Sequence, residues 1–303
     1  MVRERIPKAL AGERVDRVVS LLTGLSRAAV ADLVASAGVR LAGATVATRA
    51  ARVGAGDELE VVLPQARSQA LAPGPHVEVD VVYVDEHVVV VDKAPGVVVH
   101  PGAGNADGTL AQALAARFPD MAQVGQPGRP GVVHRLDKGT SGLLVVARTP
   151  ASYEALVAQL AARSVERRYV ALVWGCPQPA RGVVDAPIGR SQRTPTRMTV
   201  SSRGREARTA YEVRRAFDRP VPVALVACRL ETGRTHQIRV HLAAIGHPVV
   251  GDSRYGGDRK AVLAPRPFLH AERLTFRHPL TGERLTFEAE LPPDLEEVVA
   301  GLS

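Results

Sequence analysis

The sequence predicts an α+β fold: a core on a large mixed, mainly antiparallel β-sheet flanked by helices, preceded by a small α/β domain. Three observations carry this. Short Val-rich runs recur from His76 to the end. Helical patterns interrupt them without the regular alternation of a parallel α/β fold. A stretch without periodicity, holding Pro73, Gly74 and Pro75, separates residues 1–64 from residues 76–303 and reads as a linker over 65–75. A chain of 303 residues has room for one large core and one small module.

In the small domain, Val15, Val18, Val19 and Leu22 follow helical spacing, and a second helix is expected after Ser26 as N-cap, burying Val30, Leu33 and Val34. Val39 with Leu41, Val46 after a turn at Gly43, and Leu59 to Leu63 after Gly56-Asp57 read as short strands. In the larger part, strands are expected at Val77–Val84, Val88–Val91, Val97–Val99, Gly142–Ala147, Tyr169–Trp174, Ala210–Val213 and Val223–Leu230. Helices are expected at Thr109–Phe118, at Ser152–Ala162 with Tyr153, Leu156, Val157 and Leu160 on one face, and at Thr235–Ile245. Arg273–Phe276 and Arg284–Glu288 flank the turn residues His278 to Gly282 as a hairpin, and Pro292-Pro293-Asp294 opens a last helix.

Hydrophobic residues at 46% and charged residues at 23% exclude a disordered or collagen-like polymer. Lys and Arg number 39 against 31 Asp and Glu, a formal charge of +8 that favours a polyanionic partner. The base is concentrated: Arg163 to Arg219 holds thirteen Arg, no Lys and five acids, so this segment alone accounts for the excess. Arg forks suit phosphate oxygens, and neutralising several phosphates makes binding salt-dependent. A solvated Arg-rich face is the other reading. Cys176 and Cys228 are far apart and lack CxxC spacing, which points to free thiols and to no metal site. The start, MVRERIPKAL, has no apolar signal segment, and no run reaches the ~18 apolar residues of a membrane span, so a cytoplasmic location is expected.

The sharpest segment runs from Gly131 to Ala147, where a polar cluster centred on Asp137 lies between two Val-rich runs expected as strands. Apolar strands can hold such a loop rigidly. Arg135 and Lys138 flank Asp137, neighbouring cations favour the charged form of a carboxyl group, and a carboxylate can act as nucleophile or base. From spacing alone, an ordinary turn with a capping Asp is the favoured reading.

His134-Arg135-Leu136-Asp137, followed by Thr140-Ser141-Gly142-Leu143-Leu144, resembles the catalytic motif of the ribosomal large-subunit pseudouridine synthase family, the RluA/RluD type. Arg168-Tyr169-Val170-Ala171 through Gly175 is similar to that family's strand with an active-site tyrosine. Gly233-Arg234-Thr235-His236-Gln237-Ile238-Arg239 through His241, continued by Gly246-His247-Pro248, Gly251-Asp252 and Tyr255-Gly256, resembles its later motif. Asp92 to Gly96 with His100-Pro101-Gly102 resembles its first core motif, with Ala94 and Pro95 exchanged and Asp92 in place of a common Asn. The small domain, through Arg14-Val15-Asp16, Leu25-Ser26-Arg27, Gly38-Val39 and Val53 to Asp57, resembles the RNA-binding module named after ribosomal protein S-four, without its usual Asn and Lys.

The resemblance implies isomerisation of specific uridines to pseudouridine in RNA, with 23S ribosomal RNA the expected partner. Asp137 would act on a flipped-out uridine so that uracil is freed, turns, and rejoins the sugar through carbon 5. It implies catalytic roles for Asp137, Tyr169 and Arg239, with Arg239 pairing with Asp137 and Tyr169 stacking on the extruded base. Arg135, Arg234, His236 and Gln237 are expected on the substrate-binding side, the last two chiefly orienting loops. The reaction is internal to one nucleotide, so no cofactor and no metal is expected; a monomer suffices.

Three superficial matches are set aside. Gly102 to Gly108 has its last glycine one residue late for a dinucleotide loop. His134 to Asp137 alters the kinase HRD order and has no DFG to accompany it. His236 and His241 are five apart without the HExxH glutamate. A non-catalytic RNA-binding protein and a nucleoside glycosidase remain the competing classes.

Overall fold

The computed structural model describes residues 2–62 and 77–303, except positions 26, 103, 104 and 106. The chain divides into two compact units, Met1–Gln69 and Ala70–Ser303. The linker expected at 65–75, the end of the strand at Leu63 and the N-cap at Ser26 lie outside the described residues.

The small unit runs β1 (Val2–Arg5), α1 (Val15–Thr23), α2 (Arg27–Ala35), β2 (Val39–Leu41), β3 (Ala44–Thr45) and β4 (Glu58–Val61), with sheet order β1-β4-β2-β3. Its core joins Val15, Val18 and Val19 to Val30, Leu33, Val39, Leu59 and Val61, as the helical and strand spacing predicts. Gly24, left-handed at φ 69°, ends α1 and turns the chain toward α2. The sequence pattern missed β1: Arg3, Glu4 and Arg5 are exposed on an edge strand, so no alternation of apolar residues marks it.

The large unit begins with β5 (Asp80–Val84), β6 (Val88–Lys93), α3 (Leu110–Arg117), β7 (Gly125–Gln126), β8 (Arg129–Pro130), β9 (Ser141–Ala147) and α4 (Pro150–Ala161). It continues through β10 (Glu166–Trp174), β11 (Arg181–Asp185), β12 (Ile188–Arg190), β13 (Met198–Val200), β14 (Arg208–Phe217), β15 (Val223–Leu230), α5 (Gln237–Ala244), β16 (Leu269–Arg277), β17 (Arg284–Glu288) and α6 (Pro293–Ala300). A nine-stranded sheet has the order β11-β14-β15-β10-β16-β9-β6-β5, with β17 added beside β16. All its pairings are antiparallel except β9 with β16, where Ser141 and Gly142 face His270 and Ala271. This confirms the mixed, mainly antiparallel expectation. Every residue of β9 is buried, which is why it reads as a continuous apolar run.

Helix ends follow ordinary chemistry. Thr109 caps α3 in a reciprocal capping box with Gln112, and Thr149 accepts from Ser152 N ahead of Pro150 on α4. On α4, Leu156 is buried while Val157, expected on the same face, is exposed. Two further expectations fail. Val97–Val99 is not a strand: Val98 makes one bridge, to Thr109, because Lys93 Nζ donates to the carbonyls of Ala94 and Val97 and curls the chain at Gly96. Val132–Val133 is likewise no strand and makes one bridge, to Val146.

Candidate active site

The segment carrying Asp137 is anchored at both ends by glycines that no other residue could replace without displacing backbone. Gly131 has φ 66° and a Cβ there would lie 2.1 Å from Ala147 O; Gly142 has φ 111° and its Cβ would lie 2.4 Å from Ala271 O. Between them the chain turns tightly, Thr140 N donating to Asp137 O at 3.0 Å, before it enters β9. The turn is braced from below. Lys93 Nζ reaches Ala94 O at 2.7 Å, Val97 O at 3.0 Å and Lys138 O at 3.5 Å. Arg266 donates to Gly139 O at 3.0 Å and to Ser141 Oγ at 3.1 Å, and holds Asp294 of α6 with two bonds of 2.6 and 2.9 Å. Burial, and after it Arg266, push the Lys93 ammonium down to about 7, while the fields of Asp137 and Asp92 resist. Its three carbonyl acceptors match the three protons of an ammonium group.

Arg239 is brought to Asp137 from α5, 102 residues away in sequence, and donates to it at 3.0 Å. The guanidinium is itself clamped by Asp252, Nε to Oδ2 at 2.7 Å and Nη2 to Oδ1 at 2.9 Å. Asp252 is fully buried and also accepts from the backbone N of Arg254 and Tyr255. A bidentate fork on one side leaves Nη1 aimed at Asp137 on the other. Burial opposes the Arg239 charge, but the bonds to Asp252 and the fields of both carboxylates outweigh it and raise the guanidinium pKa. Tyr255 lies under Arg239 with the ring centroid 5.1 Å from Cζ, and its hydroxyl meets His236 Nδ1 at 2.8 Å. His236 is held in the left-handed region at φ 57° where α5 begins.

Asp137 and Tyr169 line one cavity of about 520 Å³, within the ~300–1,000 Å³ usual for small-molecule sites. Tyr169 sits on β10, paired with Cys228 of β15, and is buried. Burial pushes its hydroxyl up to about 12, with Arg167 pulling down and Asp137 pushing up. The phenol therefore keeps its proton at neutral pH, so Tyr169 presents a ring and a neutral hydroxyl.

The other expected residues fall around this cavity. Arg135 is exposed on its wall and donates to His100 Nε2 at 3.2 Å. Arg234 lines it too, its Nε donating to Glu206 O at 2.8 Å. Gln237 is buried with its amide fully engaged: Oε1 accepts from Thr232 Oγ1 and Arg234 N, and Nε2 donates to Arg208 O and Thr209 Oγ1. It shapes the 232–234 loop. His134 accepts from Val145 N at 3.1 Å through Nε2, and burial followed by the field of Arg167 pushes it down to about 3, so it is neutral and structural. Sequence reasoning gave no roles to Asp252, Lys93 or Arg266. Arg266 looks like an ordinary surface charge in one dimension, and Lys93 and Asp252 fall within quoted motifs without a role; burial and bonding supply the roles.

Comparison with known proteins identifies the family. Residues 87–244 match the family RNA pseudouridylate synthase. The chain is 43% identical to ribosomal large subunit pseudouridine synthase D of Xanthomonas campestris, over 98% of this chain and 91% of that protein. It is 40% identical to an uncharacterized RNA pseudouridine synthase of Bacillus subtilis, over 96% and 94%. Among solved structures, human RNA pseudouridylate synthase domain containing 1 superposes with a TM-score of 0.58 at 31% identity, covering 76% of this chain and 90% of that one. The chain therefore belongs to the RNA pseudouridylate synthase family, enzymes that isomerise uridine to pseudouridine in RNA.

Proposed function

We propose that this enzyme modifies large-subunit (23S) ribosomal RNA in the cytoplasm, with Asp137 as the nucleophile that acts on a flipped-out uridine. The observation that carries the catalytic assignment is the Asp137–Arg239–Asp252 relay: a carboxylate on a cavity wall, aimed by an arginine that is itself fixed. In the reaction the bond from C1′ to N1 of uracil breaks, the base turns, and a bond from C1′ to C5 forms. The proton on C5 leaves and N1 ends protonated, so no atom is gained or lost overall. Flipping the uridine costs a few kcal/mol and is easiest from a loop. Tyr169 then offers its ring to the base.

The substrate assignment rests on the large-subunit relatives and on charge. Arg129, Arg135, Arg163, Arg167 and Arg234 line the cavity together, against two acids, Asp137 and Glu231, both already paired with arginine. Arg190 and Arg254 line the adjoining cavity on the other side of Asp137. Among the described residues no helix is long and apolar enough to cross a membrane. The small domain, two helices followed by short strands, is read as the S-four-like RNA-binding module. Mapping pseudouridine in ribosomal and transfer RNA from a deletion strain tests the substrate: loss of sites in 23S RNA supports it, and loss confined to transfer RNA contradicts it.

A further inference from the structure

Among the described residues, one buried charge of the cavity has no carboxylate partner. Arg167 lies on β10 two residues before Tyr169, so both side chains leave the strand on the same face. Arg167 is 6% exposed, yet it forms no ion pair among the described residues, and its buried Nε has no hydrogen-bond partner. The other cavity arginines differ. Arg129 and Arg135 are exposed, Arg163 pairs with Glu206 at 3.6 Å, and Arg234 is bonded to Glu206 O. Both acids of the cavity are taken: Asp137 by Arg239, and Glu231 by Arg208 at 3.5 Å. The Arg167 guanidinium lies against the 232–234 loop, where a Cβ on Gly233 would come within 2.9 Å of Nη1. It also lies close enough to His134 and Tyr169 for its field to act on both.

A buried guanidinium without a carboxylate is costly to the fold, and a site retains such a cost when a ligand supplies the missing anion. The ligand class brought here carries one phosphate per nucleotide. We propose that Arg167 is a substrate-binding residue that receives a phosphate of the flipped nucleotide, with its fork as a phosphate subsite beside Tyr169. Bidentate guanidinium–phosphate bonds suit such a planar donor, and burial strengthens them. Arg167 would thus complement Arg239: one arginine aims the carboxylate, the other registers the nucleotide against it. The inference rests on the reading that the cavity at Asp137 receives uridine.

The test uses the full chain as wild type, Arg167→Met and Arg167→Lys, with uridine, 5′-UMP and 3′-UMP as probes. Affinities come from ligand-observed NMR, and folding is followed by thermal unfolding. In the wild type at least one nucleotide should bind about ten- to a hundredfold tighter than uridine, the strength of hydrogen bonds to a charged group. Arg167→Met should abolish that preference, and Arg167→Lys should keep part of it. Because the buried charge costs stability, Arg167→Met should unfold at the wild-type temperature or above it. Uridine binding without any nucleotide preference in the wild type overturns the phosphate subsite alone. Binding of neither overturns the uridine cavity as well. A preference retained in Arg167→Met, or an Arg167→Met chain that unfolds earlier, assigns Arg167 to the core and overturns the proposal.

Discussion

Asp252→Asn separates the aiming of Asp137 from Asp137 itself. Asp252 holds Arg239 by two bonds of 2.7 and 2.9 Å, and it does not line the cavity, so substrate does not touch it. Asparagine is nearly the same shape but keeps one acceptor and turns an NH₂ toward a guanidinium N–H. Breaking a buried ion pair costs about 3–5 kcal/mol, and Asp137 still partly neutralises Arg239, so about 3 kcal/mol is expected. In a unit of this size that corresponds to a fall of roughly 6–12 °C in Tm. Arg239, released on one side, no longer fixes the carboxylate, and a misplacement of about 1 Å can cost ~100-fold in rate. The expected result is a kcat lower by roughly 10- to 100-fold with KM little changed, read from release of label at uracil carbon 5. Unchanged Tm and kcat would refute the argument that the clamp organises the site.

Other perturbations probe the supports around the turn. Lys93→Met leaves the carbonyls of Ala94 and Val97 without their donor beneath the Asp137 turn, while Lys138 O keeps Gly96 N; it should lower stability by about 1–3 kcal/mol and reduce kcat, measured by denaturant unfolding and label release. Asp294→Ala frees Arg266, which braces Gly139 O, and should cost about 1–3 kcal/mol in the same unfolding experiment. His134 gives a pH prediction. Its pKa near 3 in the fold lies below the unfolded value near 6.5, so the unfolded chain takes up the proton first. Its contribution is complete above about pH 7 and is lost as pH falls from 6.5 toward 3, by about 2 kcal/mol at pH 5. Comparing Tm at pH 7.5 and 5 for wild type and His134→Gln should show a smaller drop in the variant.

The elements were legible where burial and sequence pattern coincide. Val88 to Val91 and Leu143 to Ala147 are central strands whose apolar runs reflect burial on both faces. The charged edge strands β1 and β11 were not legible: β11, with Arg181 and Asp185, is held by pairing to β14 rather than by apolar alternation. The turn at Val97 was misread because Lys93, buried under it, overrides the β propensity of valine. The Asp137–Arg239 contact spans 102 residues, and no local rule predicts it; only the resemblance did. Asp252 and Arg167 show the same difficulty in opposite senses. Asp252 stands in a quoted motif without a role and Arg167 in none, yet in the fold one is doubly paired and the other, among the described residues, has no ion pair and a buried Nε without a partner.

The central claim is that Asp137 performs the chemistry, and label release from C5-tritiated uridine in ribosomal RNA tests it directly, with wild type and Asp137→Ala compared under single-turnover conditions. The account predicts release and pseudouridine formation by the wild type, and neither by Asp137→Ala even though that variant stays folded. Formation of pseudouridine by folded Asp137→Ala at a rate near that of the wild type would contradict it.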